Sequence, residues 1–199
     1  MYTGVECSSH SFQTKNIQLD TAKIHYIIGD ATLPIETEAE NRLIVHCCNT
    51  IGAWGAGFVV PLGNCYPLAK EGYKKFINEN KGKSILGEVN EVKVADNIYV
   101  ENLMGQSFLV RKANGEIPCN YVAIETGFLN IIRKWFSYNS TIHKDKQNFS
   151  IHMPRIGCGL AGGDWKTIEE IIQRTFIDIA DVDVYVYDLK KQENTEYEV

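Results

Sequence analysis

Residues 43–62, LIVHCCNTIGAWGAGFVVPL, leave few folds open to this chain. The apolar run over 43–48 is too short for a lone helix and suits a parallel strand covered on both faces. Asn49 marks its end, and Gly52, Gly55 and Gly57 then let the backbone turn sharply and approach a ligand with no side chain in the way. A helix follows at once, so its first amides point at whatever sits in the loop. Strand, glycine loop and helix in that order make an anion site, and a phosphate or pyrophosphate is the natural guest. Glycines after a strand also make plain turns, so this stretch by itself leaves both readings open.

The chain's 199 residues, 44% of them hydrophobic, fit one globular domain with a substantial core. No apolar run approaches the roughly 20 residues that span a bilayer. The polar start MYTGVECSSH also lacks the organisation of a secretory signal. A cytoplasmic protein with no membrane partner is expected. Its six cysteines, Cys7, Cys47, Cys48, Cys65, Cys119 and Cys158, form no CxxC pair and no spaced Cys/His set, which argues against disulfides and structural zinc. Cys47 and Cys48, neighbours on a strand, are expected on opposite faces as small core residues. A net charge of −5 argues against a large phosphate-neutralising surface, so nucleic acid is expected only as a modified substrate.

Strand and helix signals alternate along the chain. Residues 23–28 read as a strand that exits through Gly29, Asp30, Ala31 and Thr32, and 43–57 is the second such unit. Gly63 and Asn64 look like a helix stop, after which Pro67 suits the first turn of a helix carrying Leu68, Tyr73, Phe76 and Ile77 inward. Residues 88–94 and 97–103 read as strands joined by a tight turn. From Asn120, a plausible cap, the period changes: Tyr121, Ile124, Phe128, Ile131, Ile132 and Trp135 fall on one helical stripe. Gly127 within it costs about 1 kcal/mol against alanine, which packing has to offset. A strand over 149–153, a helix carrying Trp165, Ile168, Ile171, Ile172 and Phe176, and a strand over 182–187 complete a three-layer α/β pattern. Residues 1–22 are set aside as an N-terminal extension and 190–199 as a polar tail, with the domain proper over 23–189.

The first loop has a counterpart. At 156–165 a strand ends, Gly157, Gly159, Gly162 and Gly163 follow, and a helix begins at Trp165. Open α/β sheets bind ligands at the carboxyl ends of their strands, so the exits at Asp30, at 49–58 and at 157–164 can line one cleft. A ligand touching all three would be a nucleoside diphosphate carrying a further group.

Four segments, GDAT at 29–32, HCCNTIGAWGAGF at 46–58, ENLMGQ at 101–106 and PRIGCGLAGGDW at 154–165, resemble the macro-domain family and occur in its order. Within it the chain is most similar to the stand-alone ADP-ribose-1''-phosphate phosphatases, the Appr-1-p processing branch. The resemblance implies a mixed, mostly parallel sheet between two helical layers, with ADP-ribose or ADP-ribose 1''-phosphate as partner; no motif supplies a metal cage, so a mechanism without metal or cofactor is expected. It implies hydrolysis of the 1''-phosphate. The alternatives are a mono-ADP-ribosyl hydrolase acting on modified protein or nucleic acid, and a module that binds ADP-ribose without turning it over. Asp30, between Gly29 and Ala31, would take the adenine amino group, with the Ala31 amide beside it. Asn49 would hold hydroxyls of the distal ribose. The loop Trp54, Gly55, Ala56, Gly57 and Phe58 would pass over the pyrophosphate and terminal ribose, and Ile156, Gly157, Cys158, Gly159, Leu160 and Ala161 would cradle the same phosphates from the other side. His46, Asn49 and Asp164 are the implied catalytic candidates.

Each candidate also has a structural role open to it. Alternation puts Leu43, Val45, Cys47 and Asn49 on one side of the strand and His46 on the other, where it can serve as a hydrogen-bonded histidine under a helix. Asp164 stands where an N-cap belongs. Asp30 can form a turn through its own backbone. Trp54 caps the ligand or fills the loop. Cys158 sits where a helix lowers a thiol pKa, but no base is adjacent in sequence. Asn102, Gln106 and Tyr121 are read as anchors of packing and loop geometry.

Overall fold

The computed structural model describes residues 21–139 and 148–190. Most of the expected N-terminal extension and all but the first residue of the polar tail lie outside those residues. Six strands form one sheet: β1 (Ile24–Ile28), β2 (Asn41–Asn49), β3 (Val89–Ala95), β4 (Ile98–Gln106), β5 (Phe149–Pro154) and β6 (Val184–Asp188). Their spatial order is β1-β6-β5-β2-β4-β3, and every pairing is parallel except the β3–β4 hairpin. Helices α1 (Val59–Cys65) and α2 (Pro67–Glu79) cover one face, and α3 (Tyr121–Asn139) and α4 (Trp165–Ile172) the other.

Alternation along β2 divides the core. Leu43, Val45 and Cys47 face α3 and α4 with Phe128, Ile131, Ile168 and Phe176, whereas Ile44 and Cys48 face α1 and α2 with Leu62, Ala69 and Tyr73. The two cysteines therefore lie on opposite faces, as period two requires, Cys48 buried in the core and Cys47 half-buried at its edge, where both also border the cleft. Asn120 caps α3 by accepting from the Ala123 amide at 2.9 Å. Gly127 is explained by contact: a Cβ there would lie 2.5 Å from the Leu103 side chain, so its absence lets α3 settle onto β4.

Three local expectations give way. Gly63 and Asn64 do not stop α1, which continues to Cys65 and passes through Tyr66 directly into α2. Gly63 is small because a Cβ would stand 2.8 Å from Trp54 Nε1. Leu68 is exposed, and Ala69 takes the inward position one residue on. The last helix is not uniform: after Ile172 it widens into a π turn over Gln173–Ile177. There the buried Thr175 hydroxyl donates to Ile171 O at 2.7 Å, competing with the backbone amide for that carbonyl.

Candidate functional site

A cleft of about 740 Å³ opens at the carboxyl ends of β2, β4 and β5, within the size range of small-molecule sites. Its walls are the two glycine loops. Gly55, Ala56, Gly57 and Phe58 form one side, and Ile156, Gly157, Gly159, Leu160 and Ala161 the other. The amides of Gly55, Ala56, Gly57 and Phe58 carry no hydrogen-bond partner among the described residues, and neither do those of Gly157, Gly159, Leu160 and Ala161. The second loop is held open by its own short bonds, Ile156 N to Pro154 O, Gly162 N to Gly159 O and Gly163 N to Gly157 O. Gly157 and Gly162 adopt φ of 71° and 70°, which favours glycine at both. Glycine loops with uncommitted amides on opposite walls of one cleft suit an extended anion.

Asn49 builds the first loop. Its Oδ1 accepts from Ala53 N at 2.9 Å, Ile51 N at 3.2 Å and the Tyr73 hydroxyl at 2.9 Å, while Nδ2 donates to Ala53 O at 2.8 Å. Alternation would have placed it with Cys47. The β2–β4 register slips between Cys48 and Asn49, and there the side chain turns to the hydroxyl of α2. Asn49 still lines the cleft.

His46 borders the cleft but is only 1% exposed. Nε2–H donates to Asn102 Oδ1 at 2.6 Å, and the ring is enclosed by Trp54 and Phe58. Burial pushes its pKa down to about 4, although the Asn102 bond acts in the other direction, so the imidazole is neutral at pH 7. Asn102 in turn donates to Ala69 O and Asn90 Oδ1, fixing its orientation.

Other candidates stand apart from the cleft wall. Asp164 caps α4, its Oδ2 accepting from Thr167 N at 2.9 Å and Thr167 Oγ1 at 3.0 Å, and Tyr121 OH accepts from its amide. Trp54 packs between His46 and Tyr73 instead of covering the opening. The Cys158 thiol donates to Ile156 O, and burial raises its pKa to about 11, against the lowering its position suggested. Gly29, Asp30 and Ala31 lie at the end of β1, two strands beyond the cleft's β5 edge, where Asp30 Oδ1 accepts from Thr32 N at 2.9 Å in a turn.

Sequence reasoning missed several lining residues, among them Leu109, Val110, Arg111 and Arg155. Gln106, read as an anchor, lines the cleft as well and donates to Phe108 O. Arg155 forms a bidentate pair with Asp188 at 2.6 and 2.7 Å and lies over the rings of Tyr26 and Trp165. Among the described residues the lining holds no Asp, Glu or Lys. Among the described residues no group of three or more His, Cys, Asp or Glu side chains could hold a metal ion, and no helix is long and apolar enough to cross a membrane.

No protein-family profile matches the chain. Among curated proteins it is 25% identical over 168 residues to the ADP-ribose 1''-phosphate phosphatase of Lodderomyces elongisporus, covering 83% of this chain and 99% of that one. Among solved structures, a protein of unknown function from Bacteroides thetaiotaomicron is 36% identical with a TM-score of 0.74, over 84% of this chain and 99% of the other. A macrodomain protein from Streptomyces coelicolor is 30% identical with a TM-score of 0.66, over 83% and 99%. With this sheet order, paired glycine loops at its carboxyl edge and that relative matched over nearly its whole length, the chain belongs to the macrodomain family.

Proposed function

We propose that this macrodomain is an ADP-ribose-binding hydrolase that removes the phosphate from ADP-ribose 1''-phosphate. The observation that carries the reading is the pair of amide-lined loops facing one another across a cleft with no carboxylate in its wall. Such a cleft favours a pyrophosphate over a neutral or cationic ligand. Asp30 and the Ala31 amide would read adenine, both loops would hold the diphosphate, and Asn49 would orient the distal ribose. In the reaction a water oxygen attacks phosphorus, the bond from phosphorus to the C1'' oxygen breaks, and that oxygen takes a proton as phosphate leaves. Preorganised amides stabilise the charge on the phosphoryl oxygens, commonly the largest single contribution to such catalysis.

His46 and Asp164 are the proposed proton-handling groups. For His46 the lone pair on Nδ1 is the basic position, because Nε2–H is committed to Asn102. Asp164 would have to act while capping α4.

One observation favours a second reading, capture of ADP-ribose without turnover. Among the described residues the cleft wall holds one histidine, which is buried and weakly basic, and no carboxylate stands beside it. Incubation with ADP-ribose 1''-phosphate, and separately with ADP-ribosylated protein, decides between them. Phosphate release from the first substrate is the expected result. Release of ADP-ribose from the second alone would assign a mono-ADP-ribosyl hydrolase, and tight ADP-ribose binding with neither product would assign a reader.

A further inference from the structure

The sheet order gives the cleft a direction. From Asp30 at the end of β1 to Gln106 at the end of β4 the chain crosses β6, β5 and β2, four strand spacings or roughly 19 Å. Whatever an elongated ligand presents farthest from Asp30 therefore meets the segment that follows β4.

That segment, residues 107–118, is tied down at both ends. Gln106 bridges to Cys119, Cys119 N donates to Ala161 O at 3.1 Å, and Gln106 Nε2 donates to Phe108 O at 3.2 Å. The segment is thus fastened to the second glycine loop. Arg111 reaches back against that loop so closely that a Cβ on Gly162 would lie 3.3 Å from its Nη2.

The charges around it are unequal. Arg155 is neutralised by Asp188, and Lys112 by Glu116 at 2.9 Å. Arg111 makes one hydrogen bond among the described residues, Nη1 to Gly115 O at 3.1 Å, and no carboxylate pairs with it. A guanidinium carries five N–H donors in a planar fork, so most of its donors remain uncommitted on the cleft wall.

We propose that Arg111 is the specificity-determining residue with which the cleft distinguishes a phosphate monoester on the distal ribose from the bare sugar. The proposal rests on the ADP-ribose reading above. It assigns Arg111 to the terminal group alone, since the diphosphate is held by backbone amides that no side-chain substitution removes. The substrate class is an ADP-ribose esterified at its distal end by a dianionic group.

The test measures the affinity of wild type, Arg111→Ala and Arg111→Lys for ADP-ribose and for ADP-ribose 1''-phosphate, with KM standing in where the ester is turned over. Wild type is expected to hold the phosphate ester at least about tenfold tighter than ADP-ribose, the scale of a bidentate charge-assisted contact. Arg111→Ala should bring the two ligands within about threefold while leaving ADP-ribose itself within about threefold of wild type. Arg111→Lys, which keeps the charge and loses the fork, should fall between. Equal weakening of both ligands in Arg111→Ala, or no change in either, would overturn the assignment while leaving the ADP-ribose reading in place. Failure of wild type to bind either ligand would remove that reading and the assignment together.

Discussion

Asn49 acts as a brace for the first glycine loop. Its amide satisfies two backbone donors, one carbonyl and the Tyr73 hydroxyl, so the loop takes its shape from one side chain. Asn49→Ala leaves those groups without their partner and is expected to lower stability by about 1 to 3 kcal/mol, the cost of stranding partly buried polar groups. Thermal and urea unfolding measure it. ADP-ribose affinity should fall in the same variant, because the amides of Gly55 to Phe58 would no longer be held in place. That brace was only partly legible in the sequence. The strand-end position of Asn49 was, but its turn toward α2 depends on a register slip that period-two alternation does not anticipate. Arg111 was not legible at all. It lies in a connecting segment without periodicity, and only the strand order shows that the segment borders the cleft.

Helix α4 and the glycine loop before it meet at Asp164, so a substitution there mixes capping with chemistry. Asp164→Ala is expected to cost about 1 kcal/mol of stability, and Asp164→Asn much less, since asparagine caps nearly as well. Phosphatase turnover separates the roles. A loss of about 100-fold or more in both variants would mark proton transfer, whereas a small loss in alanine that asparagine restores marks a cap alone. Helix α3 offers a test of packing: Gly127→Ala should gain about 1 kcal/mol from propensity yet destabilise overall by about 1 to 3 kcal/mol, because its Cβ would press on Leu103. Unfolding midpoints at constant m-value check the sign. Elements with a clear period, such as α3 and the buried strand β2, were readable from sequence. The continuous run from α1 into α2 was not, because Gly63 resembles a stop signal while serving as the seat of the Trp54 indole. The π turn after α4 was likewise hidden, since nothing in the helical period marks it and the buried threonine hydroxyl within it bonds only its own helix.

Across the whole molecule, buried titratable groups set opposing limits on stability with pH. His46 and His152 are lowered from 6.5 to about 4 and about 3, mainly by burial, so the unfolded chain binds the extra protons in acid. Their contribution is full above about pH 6.5 and is lost as pH falls through the folded values. Glu101 runs the other way. Burial and the facing Glu91 carboxylate raise it from 4.5 to about 8, with the Trp135 indole and Lys134 opposing. Among the described residues Glu91 Oε2 is buried with no hydrogen-bond partner, and a proton on the facing Glu101 supplies one. That contribution is full below about pH 4.5 and is lost as pH rises through 8. Urea unfolding across pH should show stability falling on both sides of a maximum between about pH 5 and 7, and Glu101→Gln should flatten the alkaline limb by at least about 1 kcal/mol. The sheet that buries these groups also brings both glycine loops to one cleft, and ligand binding there is the claim on which the rest depends. Calorimetric titration with ADP-ribose tests it most directly. A saturable one-to-one isotherm with a micromolar-range dissociation constant, about −8 kcal/mol, is expected; no heat and no thermal shift at millimolar ADP-ribose would contradict it.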